Sequence, residues 1–233
     1  MRRLGLVLLV ILLVILVPAD AKKPRDLRWV DTYALAAPTE AEKDLETLAR
    51  YLAGKTAEER QIRYSGTARD LYYIERWDEE RARAIYRWIT DRIVYHDPSA
   101  KELSKRPAGH SPSGKRWGYK DVFNAEHILK TRATNCFGYS VLYQALANES
   151  GLKSDLMLGY YADGEGHAWN EVRIGIVRMG VDATWGAEPG EYQNWCLVPL
   201  GQFRKTHLLE DPDPEPGYVP EWLTVPWTDG YQY

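Results

Sequence analysis

The apolar residues of this chain change their spacing at Gly151. Before that glycine they recur three and four residues apart. Leu45, Leu48, Ala49 and Leu52 share one helical face, as do Ala82, Ile85, Ile89 and Ile93, and then Val141, Leu142, Ala145 and Leu146. After it they form short runs separated by turn residues: 156–161, 167–174 and 177–184 read as strands. Helices first and consecutive strands second make an α+β fold, with the helices packed on an antiparallel sheet.

Start and stop signals refine this outline. Residues 21–35 read as an extended lead-in. Thr39 and Glu42 form a capping-box pair ahead of the first helix, and Gly54 ends it. Thr56 and Glu59 repeat the start signal, and Ser65-Gly66-Thr67 is a turn. Asp78, followed by Glu79 and Glu80, reads as the start of the next helix, which His96-Asp97-Pro98 stops. A Lys-, Ser-, Pro- and Gly-rich loop covers 99–119, a length that marks functional loops, and Asp121 starts another helix. Asn135 caps the central helix and Gly151 closes it. From Glu210 the prolines indicate an extended tail that packs Trp222 and Trp227 on the body.

Residues 1–21 read as a secretory leader: Arg2 and Arg3, an apolar run at 4–17, Pro18, then the small-x-small site Ala19-Asp20-Ala21. The run is shorter than the ~20 residues of a comfortable bilayer span. The expected location is therefore secreted or periplasmic, with membrane anchoring if the leader is retained. The rest divides into a helical lead-in at 22–77, a core at 78–200 and a Pro/Trp-rich extension at 201–233. A net charge of -3 offers no basic field for nucleic acid. Nine Trp and sixteen Tyr are too many for an interior alone, and some are expected to line a groove or seam.

Chemistry centres on Cys136, placed where a loop becomes a helix. A thiol attacks as its thiolate, and a helix N-terminus with free backbone N–H groups favours that anion. His167 and Asp182 follow on consecutive predicted strands. Their midpoint falls between Ile174 and Gly175, so a turn near Gly175 makes them cross-strand neighbours. Asp182 then orients one ring nitrogen of His167 and leaves the other for the thiol. The stretch Arg173-Ile174-Gly175-Ile176-Val177 is apolar for a turn, and a one-residue slip would put Asp182 on the wrong face. The backbone N–H of Cys136 is one candidate oxyanion donor, and Trp88, Tyr95, Trp117 and Tyr119 are candidates for the second.

Plainer readings stand beside these. An isolated helical cysteine is ordinarily a buried small hydrophobe, His167 alone a strand histidine and Asp182 alone a strand-end acceptor. Cys136 and Cys196, the only cysteines, allow a disulfide in an oxidising compartment. His96, His110, His127 and His207 show no ligand spacing, and prolines separate Asp211, Asp213 and Glu215, so no metal or other cofactor is expected.

Three segments in order carry a family resemblance. The stretch at 130–142, around Thr134-Asn135-Cys136-Phe137-Gly138-Tyr139, resembles the cysteine motif of the transglutaminase-like superfamily. His167-Ala168-Trp169-Asn170-Glu171-Val172 resembles its histidine motif, and Val181-Asp182-Ala183-Thr184-Trp185-Gly186 its aspartate motif. The helix at 82–89 with Ile93-Val94-Tyr95 is similar to the branch near the kyphoscoliosis peptidase and cytokinesis proteins. Thr134 departs from the glycine common two residues before the cysteine. The resemblance implies a papain-like core and a Cys136–His167–Asp182 triad acting on amide bonds of a protein or peptide, the cell envelope being one source of substrate. Hydrolysis is the first expectation, with cross-linking of glutamine to an amine as the alternative. A non-catalytic module that binds peptide or glycan is the rival of a different class.

Overall fold

The structure is a computed structural model that describes residues 26–54, 68–96 and 124–209. The leader at 1–21, the segment begun by Thr56, the turn at 65–67, the loop at 99–119, the start signal at Asp121 and the tail from Glu210 lie outside the described residues. Within them run α1 (Arg28–Leu35), a 3-10 turn (Ala41–Lys43), α2 (Leu45–Ala53), α3 (Ala68–Arg92), β1 (Val94–Tyr95), α4 (Ala125–Thr131), β2 (Ala133–Thr134) and α5 (Cys136–Glu149). The sheet region follows with β3 (Ser154–Tyr161), β4 (Gly166–Ile174), β5 (Val177–Val181), α6 (Ala183–Gly186), β6 (Val198–Pro199), α7 (Leu200–Phe203) and β7 (His207–Leu209). The sheet is antiparallel in the order β6-β5-β4-β3-β7. The α+β reading holds. No helix among the described residues is long and apolar enough to cross a membrane.

Helix α5 is the centre of the packing. It lies against α2, α3 and α4 on one side and β3 and β4 on the other. Leu142 and Leu146 of α5 meet Ile85 and Ile89 of α3, Leu48 of α2 and Val172 and Val181 of the sheet in one cluster, each fully buried. Each such leucine contributes about 1.5–3 kcal/mol through burial. Strand β4 is covered on both faces. Val172 and Ile174 belong to this cluster, and Asn170 donates to the Ser140 carbonyl of α5 at 3.1 Å. On the other face Trp169 packs with Phe203, and Glu171 takes Arg204 at 2.7 Å.

Several local expectations change. Residues 28–35 form a helix rather than an extended lead-in, burying Val30 and Ala34. Helix α2 is capped by Asp44, whose carboxylate accepts the Thr47 N–H at 2.7 Å, not by Thr39. Glu42 serves tertiary contacts instead, accepting Trp88 Nε1 at 2.8 Å and Arg132 at 3.0 Å. Helix α3 starts at Ala68, ten residues before Asp78. The acidic run resembles a first turn, but Asp78 pairs with Arg81 at 2.6 Å inside the helix.

That pair fixes the hairpin. Asp78 Oδ2 accepts the Gly175 N–H at 3.2 Å, and Arg81 also donates to the Ser150 carbonyl at 2.6 Å. One ion pair thus joins α3, the end of α5 and the β4–β5 turn. Gly175, with φ of 57°, takes the positive φ that a two-residue loop needs at its first position. The apolar Ile176 beside it simply projects into solvent, 90% exposed. Ile174 pairs with Val177 and Asn170 with Val181, so continuing the register sets Asp182 opposite Trp169 rather than His167. The offset from the expected pairing is two residues, and residues two apart on a strand share a face. His167 and Asp182 are therefore diagonal rather than direct neighbours.

Arg81→Met removes the buried cation that pairs with Asp78 at 2.6 Å and the donor that Arg81 gives the Ser150 carbonyl. The expected loss is about 3–5 kcal/mol, read as a lower urea midpoint at unchanged m value.

Candidate active site

Cys136 is the first residue of α5, and its thiol is nearly buried at 4% exposure. Asn135 caps the helix as expected, its side chain facing the Gly138 N–H at 3.4 Å. The N–H of Cys136 is one of the first four in the helix, which have no acceptor within it. The approach to the cysteine is held by the parallel pair β1–β2: Val94 N–H donates to Arg132 O and His96 N–H to Thr134 O, each at 2.9 Å. Thr134 explains its own departure from the family pattern. Its side chain lies over the first turn of α5, where Gly138 leaves space; a methyl on Gly138 would stand 2.7 Å from Thr134 Cβ.

His167 stands near the start of β4 and Asp182 just beyond β5. Asp182 is not inside a strand, since β5 ends at Val181; it is the N-cap of α6. Its Oδ1 accepts the N–H groups of Thr184 and Trp185 at 2.9 and 3.1 Å. Its Oδ2 lies 2.7 Å from His167 Nε2. A carboxylate only accepts, so Nε2 carries a proton. Nδ1 is the ring nitrogen left for the Cys136 sulfur, whose proximity favours the protonated ring. The three residues expected from the sequence are thus in one chain of contact.

Charge in this chain is held by mutual pairing. Burial has the largest influence on His167 and opposes its protonation, but the Asp182 charge and hydrogen bond and the Cys136 sulfur outweigh it, lifting the imidazole pKa to about 10. Burial likewise opposes the Asp182 anion, yet His167 and a second histidine, His207, hold it well below the usual carboxylate range. His207 Nε2 stands 3.0 Å from the same Oδ2.

His207 is the member that sequence reasoning missed. It lies in the stretch assigned to a C-terminal extension, where residues 200–209 provide α7 and the edge strand β7. The only signal was a three-residue run, His207-Leu208-Leu209, too short to show a period. Atoms of His167, Asp182 and His207 lie within 4.8 Å of one another, as ligands of a metal do, but both Nε2 atoms are here spent on one carboxylate oxygen.

Among the second-donor candidates, Trp88 is fully buried and its Nε1 is engaged by Glu42. Tyr95 pairs in register with Thr134, two residues from the cysteine, and is 45% exposed. Trp117 and Tyr119 lie outside the described residues. The aromatic surplus gathers here in part: Tyr161 stacks on Trp185 at 4.9 Å, and both rings stand 6.3 Å from His167. Cys136 and Cys196 are both free thiols, which removes the disulfide reading. Burial pushes the Cys196 thiol up to about 12, so it packs rather than reacts.

A family model described as the transglutaminase-like superfamily matches residues 65–198. The kyphoscoliosis peptidases of Mus musculus and Homo sapiens are each 30% identical over 129 residues, which is 51% of this chain and 17% of theirs. The match therefore spans less than a fifth of those relatives. A solved structure of a candidate cysteine protease from Cytophaga hutchinsonii aligns over 57% of this chain and 40% of its own, at 19% identity and a TM-score of 0.32.

Three outcomes are expected from this geometry. The pH profile of Cys136 alkylation by iodoacetamide has an upper inflection near pH 10, where His167 loses its proton. In Asp182→Asn the larger of the two influences that raise His167 is gone, the Cys136 sulfur remains and burial still opposes protonation, so that inflection falls well below its wild-type position. Gly138→Ala forces Thr134 against α5 and lowers stability by about 1–3 kcal/mol, measured by chemical denaturation.

Proposed function

This chain belongs to the transglutaminase-like superfamily of cysteine enzymes, and on that premise we propose that it hydrolyses amide bonds through a thioester on Cys136. The observation that carries the reading is the buried His167–Asp182 pair at 2.7 Å beside the equally buried Cys136 at the start of α5, with the aspartate 0% exposed and accepting four hydrogen bonds.

In the proposed cycle the Cys136 thiolate attacks the amide carbonyl carbon, and the N–H of Cys136 is placed to donate to the oxygen that gains charge. His167, protonated on both nitrogens, gives its Nδ1 proton to the departing amine as the C–N bond breaks. A thioester and a neutral imidazole remain. Water then loses a proton to Nδ1 and attacks the thioester. The acid leaves, and the thiolate–imidazolium pair is restored. Asp182 keeps Nε2 protonated throughout and so keeps Nδ1 facing the sulfur.

Water as acceptor is preferred over a substrate amine because the relatives at 30% identity are described as peptidases. A lysine amine as acceptor would make the same thioester a cross-linking intermediate. The aromatic wall of Tyr161 and Trp185 beside His167 supports a protein or peptide substrate over a small polar amide. The leader reading at 1–21 supports action outside the cytoplasm.

Release of product from a panel of peptide amides, with and without an added primary amine, tests the reading. Hydrolysis without amine that vanishes in Cys136→Ser supports it. Product formed only with amine would establish transamidation instead. A thiol that iodoacetamide modifies no faster than free cysteine at about pH 6 would overturn the enzyme reading altogether.

A further inference from the structure

Behind the Cys136–His167–Asp182 line, the imidazole of His207 is fully buried on the edge strand β7, and its ring is fixed on every side. Phe203 stacks on it at 3.8 Å, with planes 15° apart. Trp169, Trp195 and Tyr161 meet it edge-on or steeply tilted at 5.1, 5.4 and 5.6 Å. Packing alone would be served as well by phenylalanine. The polar atoms say more. Nε2 donates to Asp182 Oδ2 at 3.0 Å, while Nδ1 has Thr206 Oγ1 at 2.9 Å and the Phe203 carbonyl at 3.3 Å. The Asp182 carboxylate only accepts, so Nε2 carries a proton, while the Thr206 hydroxyl beside Nδ1 donates to the Phe203 carbonyl at 3.0 Å and holds that turn against the ring. The strand itself is anchored twice, by pairing of Tyr161 with His207 across β3–β7 and by the Arg204–Glu171 ion pair at 2.7 Å.

We propose, on the basis of the cysteine-enzyme reading, that His207 is a positioning residue: its Nε2–H shares Asp182 Oδ2 with His167, fixes the carboxylate and limits its pull on the His167 proton. Asp182 then has four donors, two amides on Oδ1 and two imidazoles on Oδ2. The carboxylate cannot turn away when His167 passes its Nδ1 proton to the leaving amine. Because part of its charge is satisfied by His207, it binds the His167 proton less tightly than a three-donor carboxylate would. The titratable groups facing His207 are Asp182 at the start of α6, His167 on β4 and Tyr161 on β3.

The substitutions His207→Phe and His207→Gln separate this role from packing. Phenylalanine keeps the ring stack and removes the donor; the glutamine amide reaches about the position of Nε2 and restores it. The readout is the pH profile of Cys136 alkylation by iodoacetamide, with the modified peptide identified by mass spectrometry, so no substrate is required. In His207→Phe the upper inflection is expected to rise by roughly half a pH unit to one unit, and in His207→Gln to return to the wild-type position. If His207→Phe does not fold, His207→Asn, whose amide is too short to reach Oδ2, provides the same contrast. An unchanged inflection in the donor-free variant, or an equal shift in His207→Gln, overturns the positioning role while fast wild-type alkylation leaves the cysteine-enzyme reading standing. Slow wild-type alkylation overturns both.

Discussion

A fully buried carboxylate has to find its hydrogen bonds inside the protein, and Asp182 finds all four. Leaving an anion unpaired in that setting costs several kcal/mol. The requirement therefore binds together the elements that meet it. Asp182 closes β5 and opens α6, reaches His167 on β4 and reaches His207 on β7. Four pieces of backbone, from β4 to the sheet's edge, are positioned by one side chain. The chemistry proposed for Cys136 depends on that arrangement, because His167 is held protonated only where Asp182 is held ionised.

The scaffold is arranged so that these groups have little freedom. Helix α5 presents Cys136 at its start and is clamped along its length between helices and sheet. The loop before it is tied through β1–β2, and Arg132 at the end of α4, itself in a left-handed conformation, places its guanidinium over Trp88 at 4.6 Å. The β4–β5 turn is fastened to α3 by Asp78 and Arg81, far from the thiol, yet that fastening helps set the register that delivers Asp182. Rigid support at a distance is the usual means of keeping reacting groups within tolerance.

Much of this was legible along the chain. The helical stripes of α2, α3 and α5 and the strands β3 to β5 follow from apolar spacing, because each buries a face against the same core. The cap at Asn135 was readable from residue type. Asp78 misled, because a carboxylate followed by two glutamates looks the same whether it opens a helix or pairs inside one. Thr39 and Glu42 misled for a similar reason: the spacing fits a capping box, but Glu42 is occupied by Trp88 and Arg132, which are distant in sequence. The hairpin estimate was two residues off, and only the period of the strand kept the two side chains on one face.

Sequence alone determined the α+β class, the identity of Cys136, His167 and Asp182 as the residues to watch, and their order. Those properties are carried by local spacing and by motifs that each fit within a few residues. Tertiary structure decided that Asp182 caps a helix rather than lying in a strand, that Thr134 fits because Gly138 is bare, and that His207 joins the carboxylate. Each of those depends on which distant segment arrives beside it, and β7 is recruited by pairing with β3 across more than forty residues of chain. A contact of that kind leaves no periodic trace in the sequence.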